Sequence, residues 1–507
     1  MKIFMNKRII AVLLFCALAA ASIGCADNST VSESNANETS TAIADTTAPK
    51  GEVPSRENTP DSLPPDLDLK AETVTICGYS GFNLEGLYDE LRGTEIGGDI
   101  LNEAIFKRNI DVSERLNAQL ELVVPNCSAG EFSNLIRNTV SAGDDTYDII
   151  AHSQFQFLPL SIEGIFVDLS DAPYLDYTKP WWNSEYMDTI SINTSKRYGL
   201  RGDISISAMN YLSATYVNTD MFTKNFGDVN EFYNLVLEGK WTLDKMGEYS
   251  EAVYQDVNND SKTDENDIIG FGCNNSGIMD HLSYPAGIRF SERDGEGHPV
   301  LIEDQSRNVE VIEALYELLY ETPGAFVVNS GDSPKTVSAF MNGNSLFFPG
   351  LLGSAGGFRD MKDDYTIIPT PKLDADQEKY LSLVHDSASI YGIPVTNTSI
   401  DSACAVLEAL CAETYRNVTL TYYEIALKLK YTRDDISSQF IDMIRDGATT
   451  DFIYANNYAL NGNNLGIIAR TMMQNKSADY MSTYAGLKPG VEKALEALIN
   501  EAEAAKK

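Results

Sequence analysis

Apolar and polar positions divide the chain into three stretches of different character. Lys2, Lys7 and Arg8 precede an apolar run from Ile9 to Ile23, long enough for the core of an export signal but short of the ~20 residues a spanning helix needs. From Cys25 to residue 66, Ser, Thr, Asn, Ala, Asp and Pro leave almost nothing large and apolar to bury, so this stretch is expected to be a disordered tether. Regular periodicity sets in only afterwards. Thr73–Cys77 is a short β-rich run, residues 99 to 117 place Ile100, Leu101, Ala104, Ile105, Val112 and Leu116 at helical spacing, and Leu120 to Val124 is strand-like again. A helix over 132–140 and an apolar strand over 147–151 come after it. Strands without polar alternation, separated by helices, predict a parallel sheet covered on both faces. Ligands of such sheets sit beyond the carboxyl ends of the strands, which singles out the loops 78–83 and 152–158.

The middle of the chain repeats the pattern as a second α/β block. Thr242 reads as the N-cap of a helix running to about Tyr254. Further helices are predicted over 309–320 and 337–341, with strands over 345–348 and 365–368. The chain then passes through Ile390–Pro394 into a long helical region, 403–429, and finishes with a helix over 491–505. A body of this length exceeds what one core usually supports, so two lobes are expected. The predicted organisation is a signal over 1–24, a tether over 25–66, first-lobe sequence over 67–205, a second lobe over 206–384, and a return to the first lobe with C-terminal helices over 385–507.

Composition narrows the partners. The formal charge is −36, which disfavours nucleic acid and anionic ligands and favours divalent cations. At the end of the apolar run, Ser22-Ile23-Gly24-Cys25 resembles the lipobox of bacterial lipoproteins, with Ser22 in place of the usual Leu. It implies diacylation of Cys25 and a place on the extracellular face of the cell membrane. Seven cysteines lose Cys16 with the signal and Cys25 to the lipid, and the odd remainder cannot all pair. Cys404 and Cys411 on one helix are separated by a rise of ~10 Å, too far to bridge. Cys77 and Cys127 both end strand-like runs and remain open as a pair.

The segment Asp256-Val257-Asn258-Asn259-Asp260-Ser261-Lys262-Thr263-Asp264-Glu265-Asn266-Asp267 places side-chain oxygens at loop positions 1, 3, 5, 9 and 12, with the backbone carbonyl of Lys262 at position 7. This is the spacing by which a short loop wraps calcium. It resembles the loops of EF-hands and dockerins, with Ser261 at the turn Gly position and Asp267 in place of Glu. A structural Ca2+ held by Asp256, Asn258, Asp260, Lys262, Asp264 and Asp267 is expected.

Several longer stretches, "TYDIIAHSQFQFLPLSIEGIFVDLSD" (146–171), "KPWWNSEY" (179–186), "GKWTLDKMGEYSEAVYQDVNNDSKTDENDIIGFG" (239–272), "FMNGNSLFF" (340–348) and "SIYGIPVTN" (389–397), resemble in this order the family 1 extracellular solute-binding proteins of bacterial ABC importers. The resemblance implies a type II periplasmic-binding-protein-like fold, two α/β lobes with a ligand cleft between them. It also implies a sugar or oligosaccharide ligand, or another polar solute such as a peptide, and ABC permease subunits as membrane partners. Sugar sites combine aromatic platforms with polar side chains. By position in the order of elements, the expected ligand groups are Tyr79, Phe82, Gln154, Phe155, Gln156 and Tyr211, then Asn274, Asn275 and His281 from the second lobe, and Asp386 and Ser387 at the return crossing. Trp181 and Trp182 are read either as packing at the edge of the first lobe or as stacking platforms.

Two other classes compete. A glycoside hydrolase needs an acid and a base carboxylate across a sugar bond, and acidic residues are too abundant here to mark one. The four histidines, 152, 281, 298 and 385, are scattered, and no GxSxG or HExxH motif occurs. A calcium-dependent adhesin would fit the tether and the acidic loop but not the alternating α/β pattern. The expectation is a binding protein without catalytic activity.

Overall fold

The computed structural model describes residues 56–82, 89–94, 100–358, 360–422, 435–460, 462 and 464–504. The expected signal and Cys25 lie outside the described residues. No helix among those described is long and apolar enough to cross a membrane.

Two sheets form two α/β lobes. In the first, the strand Glu72–Gly78 pairs in parallel with Ala118–Val123 and Ile149–Ser153, and Ser389–Gly392 adds antiparallel to the latter. Helices Ile100–Leu116 and Ala129–Ser141 are the crossovers. The second sheet runs in the order Tyr365–Ile368, Ser213–Asn218, Ser345–Leu351, Ile269–Asn274 and Ala325–Val328. Ser213–Asn218 is antiparallel to both neighbours, and the remaining pairs are parallel. Strands such as Ile149–Ser153 and Ser345–Phe348 are buried along their length, as expected where helices cover both faces.

Among the described residues the chain passes between the lobes three times, side by side. Leu212 bridges Val384, Ser382–Leu383 pairs in parallel with Ala448–Thr449, and Leu200 bridges Tyr391 at the first-lobe end. Only part of the sequence beyond 385 belongs to the first lobe. Helix Ile400–Glu413 packs there, buried from Ser402 to Ala412. After the third crossing, helices Ile468–Gln474 and Tyr480–Ala504 join the second-lobe core through Met472, Met473, Tyr480, Val491 and Leu495. The reason is complementarity. Tyr480 Oη accepts from Asn308 Nδ2 at 3.1 Å, and the apolar stripe of the last helix faces that of Ser306–Tyr320.

The ordered body begins before residue 67. Leu63 is in the first-lobe core, Asp61 is held by Arg115 at 2.6 Å and by Arg416 at 3.1 Å, and Ser62 Oγ donates to Glu408 Oε1 at 2.7 Å. Polar composition hid this, because the segment is retained by ion pairs and one leucine rather than by an apolar run. Cys77 and Cys127 are both free thiols, and burial pushes the Cys77 thiol up to about 12.

Candidate functional site

The site is built where the strand Ile149–Ser153 turns into helix Gln154–Ile162. Gln154 N–H donates to Ala388 O at 2.9 Å and Phe155 N–H to Asp386 O at 3.0 Å, so the second crossing is laid against the start of this helix. These bonds bring Phe155, His385, Asp386 and Ser387 to one wall of a cavity of about 630 Å³. The chain just beyond the third crossing supplies further lining residues: Tyr454, Asn457, Tyr458, Asn464, Ile467 and Arg470. The rings of Phe155 and Tyr458 lie 5.1 Å apart at 41°, and Tyr458 is 58% exposed.

The loop bearing Tyr458 is pinned from beneath. Asn456, buried, donates to Ile190 O at 3.2 Å, Gly462 N–H closes back on Asn457 O at 2.9 Å, and Tyr284 Oη donates to Gly466 O at 2.7 Å. Gly462 and Asn464 take left-handed conformations (φ 63° and 58°), which Gly and Asn tolerate best. His385 Nδ1 sits 3.0 Å from Asp386 Oδ1, and its ring packs 5.6 Å from Tyr211.

Beneath the cavity is a buried polar layer. His281 is buried, hydrogen-bonded through Nδ1 to Ser213 Oγ at 2.7 Å and stacked on His385 at 5.6 Å and 9°. Burial holds its imidazole well below the ordinary range. Asp280 is fully buried and takes the Arg470 Nε–H on Oδ2 at 2.7 Å.

Of the residues expected from sequence, Phe155, Asp386 and Ser387 line the cavity, Tyr211 stands behind His385, and His281 lies one layer below. Others are spent on structure. Gln154 is fully buried and accepts from Tyr186 Oη, Gln156 Oε1 accepts from Ser133 Oγ at 2.8 Å, and Tyr79 packs on Phe132 and His152 at 6.0 and 5.3 Å. Asn274 Oδ1 accepts from Ser276 N–H at 3.0 Å, and Asn275 is buried with its N–H on Val328 O at 2.9 Å; neither lines the cavity. Phe82 ends the turn Ser80–Phe82, and its side chain lies outside the described residues. Trp181 and Trp182 are core residues, both indole N–H groups donating to the buried Glu408 Oε2, at 3.3 and 2.8 Å.

Sequence reasoning missed His385, Tyr454, Asn457, Tyr458, Asn464, Ile467 and Arg470. The run "NNYALNGNN" (456–464), aromatic among amides and glycine, carried a usable signal. Arg470, within a helical stretch, carried none.

The loop 256–267 lies apart from the cavity, and its ends are tied by a bridge between Gln255 and Ile268. Its oxygens turn inward onto its own backbone. Asp256 accepts from Asp260 and Ser261 N–H at 3.2 and 2.9 Å, and buried Asp267 from Val257 and Asp264 N–H at 3.0 and 3.1 Å. Ser261 has φ 61°, the left-handed turn for which calcium loops use Gly. Among the described residues no three His, Cys, Asp or Glu side chains form a ready metal cluster.

No family model matches the sequence, and no curated protein matches it either. Solved structures do. A sugar transporter from Rhizobium etli in an open conformation aligns over 86% of this chain and 100% of its own, at 13% identity and TM-score 0.53. A cyclo/maltodextrin-binding protein complexed with maltotetraose aligns over 86% and 97%, at 10% identity and TM-score 0.53. UgpB from Mycobacterium tuberculosis in complex with glycerophosphocholine aligns over 85% and 100%, at 10% identity and TM-score 0.51. The chain therefore has the two-lobed α/β fold of ABC-importer solute-binding proteins.

Proposed function

We propose that this chain is the receptor of an ABC importer, an extracellular, lipid-anchored solute-binding protein that takes up a sugar or oligosaccharide between its lobes and hands it to permease subunits without chemical change. The observation that carries this reading is the cavity at the crossing, where the Phe155–Tyr458 aromatic pair stands among Asp386, Ser387, Asn457, Asn464 and Arg470. An aromatic surface ringed by mixed donors and acceptors suits a neutral sugar, whose faces are apolar and whose rim is hydroxyl. Two of the structural neighbours are by name a sugar transporter and a maltodextrin-binding protein, and the glycerophosphocholine complex is a reminder that the fold serves other polar solutes. Asp386 is the one carboxylate among the described residues lining the cavity, whereas hydrolysis of a glycosidic bond ordinarily takes two. We further propose that Cys25 carries the lipid and that the loop 256–267 holds a structural Ca2+, since each carboxylate oxygen that accepts one N–H retains a lone pair for a cation.

Calorimetry against a glycan panel tests the receptor reading. A tetrasaccharide should bind with a Kd on the order of micromolar, ~8 kcal/mol, and should lower the radius of gyration in solution scattering as the lobes close. Phe155→Ala and Tyr458→Ala should each weaken binding by about 1–3 kcal/mol, the loss of a stacking surface, while leaving the melting temperature unchanged. Turnover of a glycan by the purified protein, or a broad panel in which nothing binds, would sink the proposal.

A further inference from the structure

Arg470 and Asp280 form the one ion pair that touches the cavity from the second lobe among the described residues. Asp280, on helix Gly277–Ser283, is fully buried. Two donors of Arg470, Nε and Nη2, both go to its Oδ2, while Oδ1 has no hydrogen-bond partner. The guanidinium is a quarter exposed at the cavity wall, and Nη1 is its nitrogen without a bond to Asp280. The buried carboxylate thus holds one edge of the guanidinium through two charge-assisted N–H bonds to a single oxygen. Asp386 faces the same cavity, so one donor and one acceptor of opposite charge confront the ligand together.

We propose that Arg470 is the specificity-determining residue of the cleft, selecting ligands with adjacent hydroxyls, one accepting from Arg470 and its neighbour donating to Asp386, and that Asp280 is the positioning residue that aims it. This deepens the receptor reading and rests on it. A vicinal diol is the simplest group that meets a fixed donor and a fixed acceptor at once, and a ligand lacking one hydroxyl leaves one of the two partners unmet.

The pair also makes affinity respond to pH. The groups facing Asp280 are Arg470, then His385 and Asp386 on the crossing, Tyr454, Tyr284, and His281 on its own helix. Burial pushes the Asp280 carboxyl up to about 6, against the pull of Arg470 and His385. Above that value the carboxylate holds Arg470. Below it the proton neutralises Asp280, the guanidinium is released, and ligand affinity falls.

The test is calorimetry of the whole processed protein with maltotetraose, cellotetraose, xylotetraose and mannotetraose, at about pH 7.5 and about pH 5, on either side of the Asp280 titration. With the sugar that binds best, Arg470→Gln and Arg470→Lys should each lose on the order of tenfold or more, since a lysine has no planar edge to give two N–H groups to Asp280 and a third nitrogen to the ligand. The wild type should weaken several-fold at the lower pH, Asp280→Asn should be weak and pH-independent, and His385→Gln should still weaken at the lower pH. Melting curves show whether each variant is folded, and the lysine variant stands in should the glutamine variant unfold. Binding by both Arg470 variants within about twofold of wild type overturns the inference, as does a pH dependence that survives in Asp280→Asn and vanishes in His385→Gln. If the wild type binds none of the four sugars, the receptor reading falls and this inference with it.

Discussion

At the scale of single residues, the adjacent tryptophans show what spacing along a chain leaves open. Trp181 and Trp182 fit a sugar platform as well as a core edge until their partner is known, and that partner, Glu408, is 226 residues from Trp182 in the chain. Glu408 is fully buried, takes both indole N–H groups on one oxygen and Ser62 on the other. Removing it strands buried donors, so Glu408→Ala should destabilise the fold by about 2–4 kcal/mol in chemical denaturation, whereas Glu408→Gln keeps an acceptor and should cost less. Burial raises the Glu408 carboxyl above its ordinary value. A raised carboxyl favours folding at low pH and loses that contribution as pH rises through the folded value. The wild type should therefore lose stability relative to Glu408→Gln as the pH is raised, a difference read from paired denaturation curves. Phe155 and Asp386 were legible because strand ends and crossings place them near the cavity, while Tyr458 and Arg470 reach it only through folding of the third crossing.

At the scale of elements, local chemistry was a better guide. Thr242 caps the helix Leu243–Val253, accepting from Lys245 N–H, and the strand over 365–368 forms as its apolar pattern predicts. The helical region expected over 403–429 is the helix Ile400–Glu413, continued by a π-helical turn Thr414–Val418, and its end lies outside the described residues. The segment 56–63 escaped notice because its order comes from partners elsewhere, Arg115, Arg416 and Glu408. The loop 256–267 is the element on which spacing speaks most directly. Saturating calcium, at about 100 times its Kd, should add about 2.7 kcal/mol, which scanning calorimetry would read as a rise in Tm on the order of 5 °C that a chelator reverses. The paired change Asp256→Ala with Asp260→Ala should abolish the rise. Ser261→Gly should enlarge it, because the left-handed turn at φ 61° is one glycine adopts freely. An identical shift in the paired variant would leave the loop as acidic surface.

At the scale of the whole molecule, two lobes are assembled from chain segments far apart in sequence, and the cavity lies where three crossings run together. The ends of the chain add one further expectation. If the lipid on Cys25 holds the protein at the membrane, Cys25→Ala should release it to the medium in a fractionation experiment, and mass spectrometry of the N-terminal peptide should show the diacyl adduct in the wild type alone. Continued membrane association without an adduct would argue against the anchor. By itself the sequence determined the α/β alternation, the parallel strands of the first lobe, several of the longer helices, the Thr242 cap and the spacing of the acidic loop, because each depends on residues within a few positions of one another. Only the tertiary structure decided that Trp181 and Trp182 serve Glu408, that the last helices cover the second lobe, and that Tyr458, Arg470 and Asp386 share one cavity. Those outcomes depend on which buried polar group finds which distant partner and which apolar stripe covers which core, and no local pattern encodes either.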